Sequence, residues 1–171
     1  MAVVKLEVTQ AFPAGLDRLW KVFGKPEYTE RKHRALGSTE VRIRRFDATA
    51  REITVELERL SPVVIDTVPQ WARPFVGKRQ AMRHATVWRR TGAKRIDAEL
   101  EIDPVGQPVS AHGTGEVVEI DPAHSRLTLR FDVTCRIPRL GGKVAAMYAS
   151  QIEAALAADH AFTLKYLREA S

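Results

Sequence analysis

The sequence predicts an α+β fold in which a curved antiparallel sheet of about seven strands wraps around one long C-terminal helix. Three observations carry this. Arg139 to Arg168 is the one long segment with an unbroken helical pattern. At about 100° per residue Val144, Tyr148, Ile152, Ala155, Phe162 and Tyr166 fall on one face, with Leu156 on its flank. Most of what precedes it alternates apolar and charged residues with the period of half-buried strands. A helix of that length runs roughly 40 to 45 Å and needs a broad apolar partner, which a sheet supplies.

The elements follow in chain order. Val4, Leu6 and Val8 alternate with Lys5, Glu7 and Thr9, so the first strand is Val3 to Gln10. Phe12-Pro13-Ala14 breaks it, and Leu16, Leu19, Trp20 and Phe23 then recur at helical spacing up to Gly24, with Asp17 near the helix start where the dipole favours a carboxylate. Pro26 opens a second short helix with Glu27, Glu30, Arg31, Lys32 and Arg34 on a mostly wet surface, ended by Gly37. Val41 and Ile43, then Ile53, Val55 and Leu57, form a hairpin. Leu60 to Gly77 holds Pro62, Pro69 and Pro74, which deny a central strand its donors; it reads as a structured crossing, with a short helix near Gln70 to Phe75, that either rims a cavity or plugs one end of the core.

Four more strands follow. Lys78 to Arg89 puts Met82, His84, Thr86 and Trp88 on one face. Ile96, Ala98, Leu100 and Ile102 form an inner row against Arg95, Asp97, Glu99 and Glu101. Val109 to Ile120 contains Gly113 and Gly115, and its apolar parity shifts between Val109, Ala111 and Val118, Ile120, which predicts a bend at the glycines. Leu127, Leu129, Phe131, Val133, Cys135 and Ile137 make the cleanest alternation of all.

Composition bounds the function. The 171 residues, 44% hydrophobic and 28% charged, fit one domain, 1–171, with a real core and no disorder signature. No run approaches a membrane span and Met1 to Phe12 alternates instead of forming a leader, so the expectation is a cytoplasmic protein without stable membrane anchoring. A lone Cys135 excludes an intrachain disulfide and a cysteine-based zinc site. The net charge of +6 is spread along strands where arginines alternate with carboxylates, the pattern of a solvated sheet face; no nucleic-acid partner is expected. The five histidines lack metal-ligand spacing, and P-loop, dinucleotide and Gly-x-Ser-x-Gly motifs are absent from the sequence, so neither a metal nor a cofactor is expected.

Two residues stand out chemically. Asp159 falls within the apolar stripe of the long helix, where a carboxylate either binds a polar group of a ligand, acts as a base, or is neutralised by a sheet arginine such as Arg45. His84 shares the Met82, Thr86, Trp88 face, as an acid–base partner or as a hydrogen-bonded core residue. These two are the candidates for acid–base work; Trp71, Phe75, Met82, Trp88, Leu100, His112, Phe131, Tyr148 and Ile152 join them as candidate ligand-lining residues.

The stretches Val68-Pro69-Gln70-Trp71-Ala72-Arg73-Pro74-Phe75-Val76-Gly77, Cys135-Arg136-Ile137-Pro138-Arg139-Leu140-Gly141-Gly142-Lys143 and Gln151-Ile152 to Phe162, in that order and spacing, resemble the bacterial family called domain of unknown function 2505. More broadly the chain resembles the helix-grip fold of the START-like superfamily, which includes polyketide cyclases, plant pathogenesis-related allergens and lipid-transfer domains. The resemblance implies that fold and a ligand cavity between sheet and helix, and transfers no catalytic residue. The expected function is binding of a small hydrophobic or amphipathic ligand, lipid- or polyketide-like. The alternatives are a cyclase or dehydratase using the same cavity and a cavity-less interaction module, for instance a homodimer.

Overall fold

The computed structural model describes residues 2–63 and 65–169, the side chains of Thr67 and Phe75 excepted. Seven strands form one antiparallel sheet: β1 (Ala2–Phe12), β2 (Thr39–Ala48), β3 (Glu52–Pro62), β4 (Arg79–Gly92), β5 (Arg95–Pro104), β6 (Val109–Asp121) and β7 (His124–Cys135). Their spatial order is β1-β7-β6-β5-β4-β3-β2, so the chain meanders from β2 to β7 and β1 closes on β7. The opposite edges β1 and β2 are joined in sequence by α1 (Leu16–Phe23) and α2 (Pro26–Ala35). The long α3 (Gly141–Glu169) lies across the concave side and packs on β1 and β7. This is the helix-grip fold expected from the alternation of the strands and the length of the last helix.

α1 closes one end of the grip. Its apolar residues Leu16, Leu19, Trp20, Val22 and Phe23 are all buried, as their helical spacing requires. Glu119 at the end of β6 accepts a hydrogen bond from the Leu16 amide at 2.9 Å, one of the amide donors a helix start leaves unpaired. Trp20 Nε1 donates to the Thr49 carbonyl at 3.1 Å, and Phe23 stacks on Trp88 of β4 with centroids 4.9 Å apart.

The outer sheet face is a ladder of arginines and carboxylates. Arg89 meets Glu52 at 3.1 Å, Arg95 meets Glu116 at 2.9 Å and Arg130 meets Glu7 at 3.0 Å, each across neighbouring strands. These exposed pairs each contribute little to stability, but they account for the spread of basic residues along the strands.

Three expectations are corrected. The glycines of β6 bring no bulge and no shift of parity: Val109, Ala111, Gly113, Gly115 and Val117 stay in phase on the buried face, and pairing with β7 runs unbroken from Val109 to Glu119. Val118 and Ile120 belong to the other face, where Ile120 is exposed. Gly113 sits opposite Phe131 and Gly115 opposite Leu129; a Cβ on Gly113 would stand 2.5 Å from Phe131 Cε1. The missing side chains therefore make room for large residues of β7 lying across the sheet. Second, the wet face of α2 keeps Glu27, Arg31 and Arg34 exposed but loses Lys32, which turns inward with the buried Tyr28, Thr29 and His33. Third, the short helix near Gln70 to Phe75 is reduced to one 3₁₀ turn, Arg73–Phe75, with another at Ile65–Thr67.

Candidate functional site

Between the sheet, α2 and the middle of α3 lies a cavity of about 750 Å³. It exists because α3 rests on the β1–β7 side of the grip and stands clear of β3, β4 and β5. Ser150, Gln151, Ala154 and Ala158 of α3 face Val63, Val68, Pro69 and Val76 of the β3–β4 connection across it. The proline-braced connection therefore rims the cavity.

The floor is apolar. β4 supplies Met82, Thr86 and Trp88, β5 supplies Leu100 and Ile102, and β7 supplies Leu127 and Leu129, all inward by strand parity. α3 adds Tyr148, Ile152 and Leu156 from above. Gln10, buried on β1, donates through Nε2 to the Leu156 carbonyl at 3.0 Å and ties the helix to the sheet at mid-span.

The wall formed by α2 and β3 is polar and charged. Tyr28, Thr29, Lys32, His33 and Leu36 line the cavity at positions one, two, five, six and nine of a helical stripe, so α2 turns one face inward. Lys32 Nζ meets Asp159 Oδ2 at 3.1 Å, with only 17% and 31% of the two side chains exposed. Thr163, one turn beyond Asp159, donates to the Asp159 carbonyl at 2.9 Å and sits 2.5 Å from the Tyr28 hydroxyl, which donates to it. Thus α2 is fastened to α3 by an ion pair and a hydroxyl chain. On the sheet side, Arg59 Nε donates to His84 Nε2 at 2.9 Å and its Nη1 donates to Ser38 Oγ at 2.9 Å. The His33 and His84 rings stand edge to face, centroids 5.2 Å apart.

Burial and charge set the protonation states. Burial, reinforced by Lys32, His84 and Arg59, pushes His33 far below the ordinary imidazole value. Burial, then Arg59 and Lys32, holds His84 well below it too. Both rings are neutral near pH 7, and because His84 Nε2 accepts from Arg59, its proton resides on Nδ1. Burial lowers Arg59 to about 10, which still leaves it charged. Burial works against the Lys32 ammonium, but Asp159 and Tyr28 outweigh it and its value is raised. Burial pushes the Tyr28 phenol up to about 12.

Of the side chains singled out in the sequence, Met82, His84, Trp88, Leu100, Tyr148, Ile152 and Asp159 line this cavity. Three do not join them. Trp71 stands 38% exposed on the rim connection and points away. His112 is on the outer sheet face, 3.9 Å from Glu101, because with the parity of β6 unbroken it points opposite to Ala111 and Gly113. Phe131 is 1% exposed and fills the space over Gly113 as core. The side chain of Phe75 lies outside the described residues. Asp159 is neutralised, though by Lys32; Arg45 is on the outer face, bonded to Asp47 at 2.6 Å. Cys135 is fully buried, as its strand row requires.

Tyr28, Lys32, His33 and Arg59 were missed. Their signals are geometric: Tyr28–Lys32 and Thr29–His33 repeat at four residues, and Arg59 continues the inward row of Val55 and Leu57. Among the described residues no group of three metal-ligating side chains comes together, and no helix is long and apolar enough to cross a membrane.

Solved structures share this architecture at low sequence identity. The Zhui aromatase/cyclase from Streptomyces sp. R1128 superposes with a TM-score of 0.59 at 17% identity, covering 96% of this chain and 93% of that one. A START superfamily protein from Mycobacterium smegmatis gives 0.53 at 14%, over 95% and 98% of the two chains. Norcoclaurine synthase from Thalictrum flavum, solved with dopamine and hydroxybenzaldehyde, gives 0.56 at 13%, over 96% and 88%. At these identities the likeness establishes the START-like fold and nothing finer. No curated protein matches the sequence. The family model described as protein of unknown function DUF2505 matches residues 7–167, nearly the whole length, and the chain belongs to that family.

Proposed function

We propose that the whole chain acts as one ligand-binding domain that holds a small hydrophobic or amphipathic molecule, lipid- or polyketide-like, between the sheet and α3. The observation that carries this is the cavity itself: about 750 Å³, floored by leucines, Met82 and Trp88, inside an otherwise well-packed grip. Packed interiors rarely hold voids much larger than a water molecule, and small-molecule pockets fall in the range of about 300 to 1,000 Å³. A ligand burying on the order of 300 Å² of apolar surface there gains roughly 7 kcal/mol before the cost of association.

Binding is favoured over turnover by the state of the two acid–base candidates. The His84 lone pair at Nε2 is engaged by Arg59, and the Asp159 carboxylate is held by Lys32, so neither stands ready to take a proton from a substrate.

The test is native mass spectrometry of protein purified from its own host, followed by organic extraction, alongside a Leu100→Trp variant that fills the floor. A co-purifying apolar molecule that the filled variant loses while remaining folded supports the reading. An empty protein that takes up no apolar fluorophore sinks it and favours an interaction module with a collapsed interior.

A further inference from the structure

Given the cavity as a ligand site, the polar wall says what kind of head group the ligand carries. Three observations bear on it. Lys32 and Arg59 are both cationic at neutral pH, and among the described residues the only carboxylate lining the cavity is Asp159, so the wall carries one positive charge in excess. The neighbouring histidines do not add to it, since both are held neutral.

The hydrogen-bonding inventory leans the same way. The Lys32 ammonium has three donors and spends one on Asp159. The Arg59 guanidinium has five, of which Nε and Nη1 go to His84 and Ser38. His84 has given its acceptor nitrogen to Arg59 and keeps a donor at Nδ1. Donors thus gather on one wall of a cavity whose opposite floor is hydrocarbon.

The third observation is that Arg59, which projects inward from β3 near the β2 edge, has no carboxylate within 4.0 Å among the described residues, and feels Asp159 only through space. A desolvated guanidinium whose nearest carboxylate is already bonded to another cation, as Asp159 is to Lys32, is costly. Its bonds to His84 and Ser38 fix its position, and with Asp159 shared between two cations a preorganised, incompletely neutralised guanidinium faces the cavity.

We propose that the ligand is an amphipathic monoanion, a carboxylate on an apolar body, whose head sits against Arg59 and Lys32 while its body lies over Leu100, Leu129 and Tyr148. A single charge is specified because the wall has one in excess and Asp159 repels a second. A planar carboxylate also matches the guanidinium fork. Asp159 then orients Lys32 and does not touch the ligand's head.

The experiment uses the full chain near neutral pH, with an uncharged apolar fluorophore, N-phenyl-naphthylamine, displaced by decanoate, decanol or decyltrimethylammonium. These three share a chain and differ in the head. The expected result is that decanoate displaces the fluorophore at least about tenfold more effectively than decanol, and that added salt narrows the gap. Arg59→Met abolishes the preference for decanoate over decanol. Fluorophore uptake with equal displacement by decanoate and decanol overturns the head-group assignment while the cavity reading stands. A preference for decyltrimethylammonium overturns it too and gives the head to Asp159. No uptake of the fluorophore or of any of the three overturns both. The comparison in the unaltered protein decides the question even if Arg59→Met fails to fold.

Discussion

Replacing Gly113 by alanine tests how β6 and β7 are fitted together. The added Cβ would stand 2.5 Å from Phe131 Cε1, 2.6 Å from Cδ1 and 2.9 Å from Cζ. Carbon atoms in good contact are about 3.5 to 4.0 Å apart, so the ring must retreat by about 1 Å. Phe131 is 1% exposed, and its backbone is held between β6 and β1, where it pairs with Leu6. Overpacking of that kind costs about 1–3 kcal/mol, and the lost chain entropy of glycine returns about 0.5–1 kcal/mol, for a net loss of about 1–2 kcal/mol. For a chain of this size that is a fall in Tm of about 2–8 °C, readable by circular dichroism or calorimetry. Gly115→Ala is the milder control, because its nearest neighbour, Leu129 Cδ2 at 2.9 Å, is the tip of a flexible side chain. Phe131→Leu placed on Gly113→Ala recovers part of the loss. If Gly113→Ala is as stable as the parent, the close approach of the ring is not why glycine is there, and β6 owes its glycines to something other than room for β7.

Two further outcomes concern the polar wall. Lys32→Met leaves the Asp159 carboxylate, among the described residues, with the Thr163 hydroxyl 3.4 Å from Oδ1 and the more distant charge of Arg59. The pair is less exposed than surface bridges worth about 0–1 kcal/mol and less enclosed than buried ones costing about 3–5 when halved, so the expected loss is about 2 kcal/mol. Adding Asp159→Asn recovers most of it, and strictly additive losses in a denaturation cycle would show the two are not coupled. Stability also falls at both ends of the pH scale. His33 and His84 have folded values below the ordinary one, so their contribution is full above about pH 6.5 and is lost as pH falls, at up to about 1.4 kcal/mol per pH unit for each ring. Tyr28 and Lys32 have raised values, so theirs is full below about pH 10 and is lost as pH rises toward 12. Urea midpoints across pH should show both limbs, with Tyr28→Phe flattening the alkaline one; an acid limb that does not shrink in His33→Gln removes that ring as a cause.

The fold was legible because it is written in apolar periodicity. The rows Leu127 to Cys135 and Ile96 to Ile102 fix which way each strand faces, and the unbroken stripe from Val144 to Tyr166 fixes the helix. His84 and Asp159 were legible too, as polar interruptions of apolar rows. The other half of the wall was not. A helix that turns Tyr28, Lys32 and His33 inward looks, by composition, like a helix facing water, and Arg59 on β3 looks like one more arginine of the outer ladder. Polar residues reveal their direction only through spacing relative to a row that continues past them. The glycines of β6 misled for a related reason: a missing side chain reads equally as a bend or as room for a neighbour, and only the pairing of Gly113 with Phe131 decides.

The central turns of α3 hold Ala154, Ala155, Ala157, Ala158 and Ala161, all exposed. Tyr166, Leu167 and Thr163 anchor one end of the helix, Val144, Ala145 and Ala149 the other, and Gln10 and the Ala11 carbonyl of β1 hold Leu156 and His160 between them, so the middle works as a beam shelved along one side. Such a span draws its straightness from the backbone, and alanine is the residue that keeps a helix wound with the least help from neighbours. Stiffness there holds the free side of the helix off the floor, and a void of several hundred cubic ångströms persists beside the contacts of Ile152 and Leu156. On the side away from that shelf the void is bounded instead by the β3–β4 connection and by the Lys32–Asp159 fastening between α2 and α3.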